Sequence, residues 1–379
     1  HNLPGMKNVF LCLFSVLLIY APPVFAQKAR EMTIEQCLEF ALGNNESIQI
    51  SELSIKDAEA KIRGIVALGL PQASIQGRLN YNYEVQTSLV DASNFDRTLP
   101  PGTLTEIQFA LPYDGNVNMG VRQLIFDGAY FVGIEASKTF KELSVKENER
   151  TKIEVVEAVT KSYYNVLINQ AQLYLLGQNF SRLDTLLRET TQMYRNGFVE
   201  QIDVDRIKVS YNNIKVNLET QIQLSEISQK LLKFQMGMPL DDPIVLTTSL
   251  RDVNLDIPDV STNFNYSDRI EYSLLETNRN LASLDKKKSS SEYLPKIYGS
   301  FNYGLNNARG LGRDLLANNW FNFGTVGATI SIPLFEGFSK KIKIQQSKIK
   351  ISQLDYQKSF LQKNIEIEIV QQRMSLEGN

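Results

Sequence analysis

The chain has 379 residues, 43% hydrophobic and 22% charged, which is enough for more than one domain and too apolar for a disordered chain. A net charge of −2 at pH 7 offers nothing to suggest a nucleic-acid binder. The only histidine is His1 and the cysteines are Cys12 and Cys37, so no catalytic residues, metal ligand set, cofactor motif or internal disulfide are expected beyond the first segment.

That first segment reads as an export signal. Met6-Lys7-Asn8 is a short basic start, Val9 to Tyr20 is an uncharged apolar run, and Val24 and Ala26 supply small residues before a cleavage expected ahead of Gln27. Residues 1–26 are therefore assigned to upstream sequence and signal peptide. No cysteine stands at the cleavage point, so no lipid anchor is expected. No later run reaches 18 consecutive apolar residues, so an exported, membrane-bound form must use β-strands.

Residues 27–236 form a first structural repeat. Thr33 to about Leu68 reads as one helix, opened by a Thr33–Gln36 capping box and closed before Pro71. From Ser74 to Val85 the residues alternate. Ile75, Gly77, Leu79, Tyr81, Tyr83 and Val85 share one face, and Ser74, Gln76, Arg78, Asn80, Asn82 and Glu84 the other, the signature of a strand. Residues 87–116 read as a loop. Val117, Met119 and Val121 alternate with Asn118, Gly120 and Arg122 in a second strand ending at Phe126-Asp127-Gly128. The strand pair thus covers 74–126. Ala129 to Arg195 lacks proline, and its apolar positions step by 3 and 4, so a coiled-coil-like helix is expected. Asn196-Gly197 breaks it, and a second helix from about Gln201 completes an antiparallel hairpin over 129–236. Residues 237–268, rich in proline, read as a connecting segment.

The plan then repeats over 269–379. A helix from Arg269 leads to Leu294-Pro295, matching Leu70-Pro71 at an offset of 224. A strand pair spans 296–335 and ends in Phe335-Glu336-Gly337, matching Phe126-Asp127-Gly128 at an offset of 209. A long helix over 338–379 follows, with Ile344, Ser347, Ile351, Leu354, Lys358, Leu361 and Ile365 stepping by 3 and 4. The second hairpin is expected to continue beyond Asn379. Four strands cannot close a barrel, and an open sheet in lipid leaves unpaired edges, so membrane strands would require oligomerisation. Three copies would give twelve strands, within the usual even-numbered range.

In combination these features resemble the TolC family of outer-membrane efflux proteins. The resemblance rests on the strand-to-helix boundaries Gln123-Leu124-Ile125-Phe126-Asp127-Gly128 and Ile332-Pro333-Leu334-Phe335-Glu336-Gly337. It also rests on Tyr194-Arg195-Asn196-Gly197 with Gln201-Ile202-Asp203-Val204 at the helix turn, and on Arg269-Ile270-Glu271 through Tyr293-Leu294-Pro295. The implied fold is mixed α and transmembrane β: coiled-coil hairpins forming a periplasmic α-barrel, and four strands per protomer in a trimeric twelve-stranded outer-membrane barrel. The implied function is a passive exit duct of a tripartite efflux or type I secretion system, working as a homotrimer with a periplasmic adaptor and an inner-membrane pump. A structural periplasmic coiled coil or adaptor without a pore is the alternative.

Several residues acquire expected places. Arg78, Glu84, Asn118 and Arg122 would line the barrel lumen, although a soluble, water-facing sheet would carry the same alternation. Tyr81, Tyr83, Phe301, Tyr303, Trp320 and Phe321 would form aromatic girdles at the outer-membrane lipid interfaces. Arg195, Gly197, Asp203 and Asp205 would sit at the periplasmic tip, with the charged residues narrowing the entrance or facing the adaptor and Gly197 serving as the turn residue.

Overall fold

The computed structural model describes residues 30–250, 265–309 and 320–377. The signal-peptide assignment, residues 251–264 of the connecting segment and residues 310–319 of the second strand loop lie outside them. In chain order the elements are β1 (Arg30–Met32), α1 (Ile34–Asn44), α2 (Glu46–Ala67), β2 (Gln72–Tyr81), β3 (Thr87–Asp91), β4 (Leu104–Gln108), β5 (Tyr113–Phe126) and α3 (Gly128–Arg195). There follow α4 (Gln201–Met236), β6 (Ile244–Leu246), α5 (Ile270–Ser291), β7 (Lys296–Arg309), β8 (Phe321–Ser331) and α6 (Ser339–Glu377). No helix among the described residues is long and apolar enough to cross a membrane.

The chain divides into two compact units: residues 1–50 with 151–259, and residues 51–150 with 260–379. Both α2 and α3 contribute to each. In the first unit the Thr33 capping box is formed, with Gln36 N–H donating to Thr33 Oγ1 and Thr33 N–H to Gln36 Oε1. The single helix expected over 33–68 is instead two. Asn45 N–H closes α1 on the carbonyl of Ala41, while Asn45 Oδ1 accepts from the backbone N–H groups of Ser47 and Ile48 and so opens α2. An asparagine side chain competes with the helix ladder for backbone partners, and here it caps. Its Nδ2 also donates to the carbonyl of Gln235 at 2.8 Å, tying the break to the end of α4.

The core of this unit gathers Cys37, Ala41 and Ile48 with Val155, Val159, Tyr163, Val166 and Leu167 of α3 and Leu232 and Met236 of α4. Each fully buried aliphatic side chain contributes roughly 1.5–3 kcal/mol relative to exposure. The connecting segment contains a strand that alternation could not reveal: β6, three residues long, pairs in parallel with β1. Farther along the hairpin, Gln221 Nε2 donates to Asn169 Oδ1 at 2.9 Å and the rings of Phe180 and Tyr211 lie 5.2 Å apart, joining α3 to α4.

The second unit holds a four-stranded antiparallel sheet of order β2-β5-β7-β8. Several strand boundaries differ from expectation: β2 starts two residues early, at Gln72, and β8 ends at Ser331, short of 335. β2 ends at Tyr81 because Asn82 turns away, its N–H donating to the carbonyl of Pro112 and its Nδ2 to Leu111 O and Asp114 Oδ2. β5 begins at Tyr113 rather than Val117. Asp114, Gly115 and Asn116 look like turn residues but continue a ladder in which Asn80 and Asn306 bond to Asp114 and Asn116. β8 begins at Phe321. The expected loop between β2 and β5 contains its own hairpin, β3 paired with β4, based on Asp91, whose carboxylate accepts from Ser93 N–H, Ser93 Oγ and Gly102 N–H.

Beside the sheet, α5 and α6 pack antiparallel through Leu274, Leu284, Leu354 and Ile365 and through the ion pairs Arg279–Asp355 (2.6 Å) and Arg269–Glu368 (2.9 Å). The N-terminal part of α3 meets α5 through Lys287–Glu135 at 2.8 Å and meets α2 through Lys141–Glu59 at 2.9 Å.

Candidate functional site

Cross-strand partners in an antiparallel sheet point to the same side, so the register sorts the strands into two faces. One face carries Gln72, Ser74, Gln76, Arg78 and Asn80 of β2, Asp114, Asn116, Asn118 and Arg122 of β5, Tyr298, Ser300, Asn302 and Asn306 of β7, and Thr325 and Thr329 of β8. The other carries Ile75 and Leu79, Val117, Met119 and Val121, Ile297, Phe301, Tyr303 and Leu305, and Val326 and Ile330. This second face is as apolar as a core, yet Ile75 is 74% and Val326 83% exposed. The outermost strands, β2 and β8, each have one edge without a partner among the described residues. The four strands run 10, 14, 14 and 11 residues. A tilted strand needs about 9–11 residues to cross the hydrocarbon core.

The expected lumen residues fall unevenly. Arg78, paired with Asn116, Asn118, paired with Gln76, and Arg122, paired with Ser300, share the polar face. Glu84 lies outside the sheet, in the segment between β2 and β3, because the ladder ends three residues before it. The expected girdle divides in the same way. Tyr81, Phe301 and Tyr303 lie on the apolar face, whereas Tyr83 is past the end of β2 and 87% exposed. Trp320 lies over Gly115, where an added Cβ would meet the indole at 3.1 Å. Phe321 pairs with Asn306 and so falls on the polar face, against expectation, because the period of two places Asn322, Gly324 and Val326 on the other side. Sequence reasoning missed Tyr113, whose ring centroid is 4.8 Å from that of Tyr81 at the loop end of the apolar face. Its place in a strand is the missing signal.

At the junction of sheet and helices, Arg122 lies over the ring of Tyr298, 4.0 Å from its centroid. The register slips between Leu124 and Phe126, a bulge that bends β5 as it enters α3. Asp127 begins the turn, accepting from Ala129 N–H at 2.8 Å and pairing with Lys296 at 3.3 Å.

At the far end of the hairpin in the first unit, Arg195 is the last residue of α3. Gly197 holds φ +80°, and Phe198 N–H bonds to the carbonyl of Met193 at 2.9 Å, a left-handed helix stop. Asp203 sits in the first turn of α4, 3.9 Å from Arg206, and Asp205 accepts from Gln201 Nε2 at 3.0 Å. No ion pair joins Arg195 to either aspartate among the described residues. Away from the tip, α4 exposes Ile202, Val209 and Val216 at seven-residue steps, and α6 exposes Ile342, Ile349 and Tyr356, then Phe360, Ile367 and Met374, at the same step. Exposed apolar stripes at heptad spacing are the pattern that suits coiled-coil packing.

No family model and no curated protein matches the chain. Solved structures do share its fold. The outer membrane protein VceC from Vibrio cholerae matches at 14% identity over 91% of this chain and 79% of that one, with a TM-score of 0.62. The CmeC outer membrane channel of Campylobacter jejuni matches at 14% identity over 89% and 69%, with a TM-score of 0.67. The open-state MtrE outer membrane channel of Neisseria gonorrhoeae matches at 15% identity over 88% and 71%, with a TM-score of 0.58.

Proposed function

We propose that this chain, whose fold is that of the TolC-like outer-membrane channels, is one protomer of a trimeric duct through which an envelope-spanning machine exports its cargo. One observation carries the reading: a four-stranded sheet with one polar face, one exposed apolar face and two open edges. Water on the apolar face would forgo roughly 1.5–3 kcal/mol for each large side chain that lipid would accept. Open edges would invite aggregation, whereas closure with copies of the same sheet removes them. Three sheets make twelve strands, with Arg78, Asn118 and Arg122 facing the lumen and Tyr81, Tyr113 and Trp320 at the outer interface.

The exposed heptad seam of α4 suits packing against neighbouring helices in a helical barrel, and so, in the other unit, does that of α6. Arg195, Gly197, Asp203 and Asp205 would stand at the tip of that barrel, where an adaptor docks and the entrance narrows. The duct supplies a path, and an inner-membrane pump of an efflux or type I secretion system supplies the energy. Fractionation of the producing cell tests the reading. The protein is expected in outer membranes, resistant to carbonate extraction, and conductive in planar bilayers. Recovery as a soluble periplasmic protein would overturn it in favour of a coiled-coil scaffold.

A further inference from the structure

The polar face of the sheet carries an unbalanced charge. Four of its residues are charged within or beside the ladder: Arg78, Asp114, Arg122 and Lys296. Lys296 is neutralised by Asp127 at 3.3 Å. Asp114 lies at the loop end of the face, beside Arg78 on the diagonal, and its carboxylate accepts from Asn80 at 2.9 Å and Asn82 at 3.1 Å; it offsets one of the two arginines, so the face keeps an excess of one positive charge, centred on Arg122. Arg78 and Arg122 form no ion pair within 4.0 Å among the described residues. Between them lie only neutral groups, Gln76, Asn118, Ser300 and Asn302, which line an open hollow with Arg122 and Tyr298. The Tyr298 ring beneath the Arg122 guanidinium, 4.0 Å away, holds that cation at the wall and leaves its N–H edges free.

We infer that Arg122, seconded by Arg78, makes the barrel lumen select for anions, so that the favoured cargo is anionic: a carboxylate, phosphate or sulfonate compound. This rests on the pore reading above. In a trimer the two arginines repeat as rings of like charge around a water-filled path, and rings of arginine or lysine draw anions and repel cations. A planar guanidinium with free N–H groups also fits an oxyanion in two-point contact, which a small inorganic cation cannot imitate. The carboxamides around it offer further N–H groups and cost a neutral solute nothing.

The test is the reversal potential of single channels of the complete natural protein in a potassium chloride gradient. The parent channel is expected to pass chloride in preference to potassium. Arg122→Gln should lower the chloride-to-potassium permeability ratio by a factor on the order of two or more, because it removes one charge per protomer from the ring. Arg122→Lys, which keeps the charge, should retain the preference. A cation-preferring parent, or an unchanged ratio in Arg122→Gln channels that still conduct, would overturn this inference and leave the pore reading intact. Absence of any conductance from a correctly assembled parent would overturn both.

Discussion

Gly237 and Gly197 both hold left-handed backbone, at φ +70° and +80°, but they differ in what surrounds them. Gly237 ends α4, and its N–H reaches back to the carbonyls of Lys233 and Phe234. A Cβ placed there would lie 2.6 Å from the carbonyl oxygen of Asn44 and 2.9 Å from Asn45 Cα, both backbone atoms at the break between α1 and α2. A Cβ on Gly197 would meet nothing within 4 Å. Alanine at Gly197 therefore costs only the left-handed conformation, about 1–2 kcal/mol. Alanine at Gly237 adds the displacement of packed backbone, about 1–3 kcal/mol more, and puts at risk the Asn45–Gln235 bond. The loss per protomer should be roughly 2–5 kcal/mol for Gly237→Ala against 1–2 kcal/mol for Gly197→Ala. Circular-dichroism melts of the detergent-solubilised protein, at matched concentration, compare them. Equal melting temperatures for the two variants would refute the claim that the α4 terminus is wedged against the α1–α2 break.

Val326 stands mid-strand on the apolar face and is 83% exposed. Val326→Arg should cost roughly 2–4 kcal/mol if that face meets lipid and deplete the outer-membrane pool on fractionation. Normal levels would place the face in water. Asp203→Ala should alter single-channel conductance or drug sensitivity while trimer yield stays constant, and no change in either property would remove Asp203 from the entrance. Cys37 is fully buried, and burial, with Glu35 adding a smaller effect, pushes its thiol from 9.0 up to about 11. The folded thiol should resist maleimide at pH 8 until denaturant is added. Between pH 9 and about 11 the unfolded chain releases this proton and the folded chain does not, so stability should fall as pH rises through that window. A Cys37→Ser variant with the same alkaline decline would assign it to other groups.

Much of this architecture was legible in the sequence because long, regular elements repeat. The strand pairs, the α3–α4 hairpin and the stop at Gly197 follow from periodicity and from Asn196-Gly197. The Thr33 capping box needed only its two residues. What escaped was decided by partners distant in sequence. Asn45 breaks the first helix because its side chain finds Ser47, Ile48 and Gln235 together. β6 is too short to alternate and exists because β1 lies beside it. Asp114-Gly115-Asn116 looks like a turn, and only a polar-faced sheet makes it strand. Glu84 and Tyr83 continue the alternation of β2, but the chain turns at Asn82, so they leave the faces to which counting assigned them. Phe321 shows the converse: an aromatic type suited to an interface, placed by register on the polar side. The pairing of Lys296 with Asp127, which leaves Arg122 as the unpaired cation at the helix end of the polar face, could not be read from spacing at all.

A barrel requires closure of the sheet by copies of itself. Native mass spectrometry of the complete gene product, extracted from outer membranes in mild detergent, measures that directly. A trimer is expected, joining edge β2 of one protomer to edge β8 of the next. A monomer or dimer would leave those edges open in lipid and contradict the barrel.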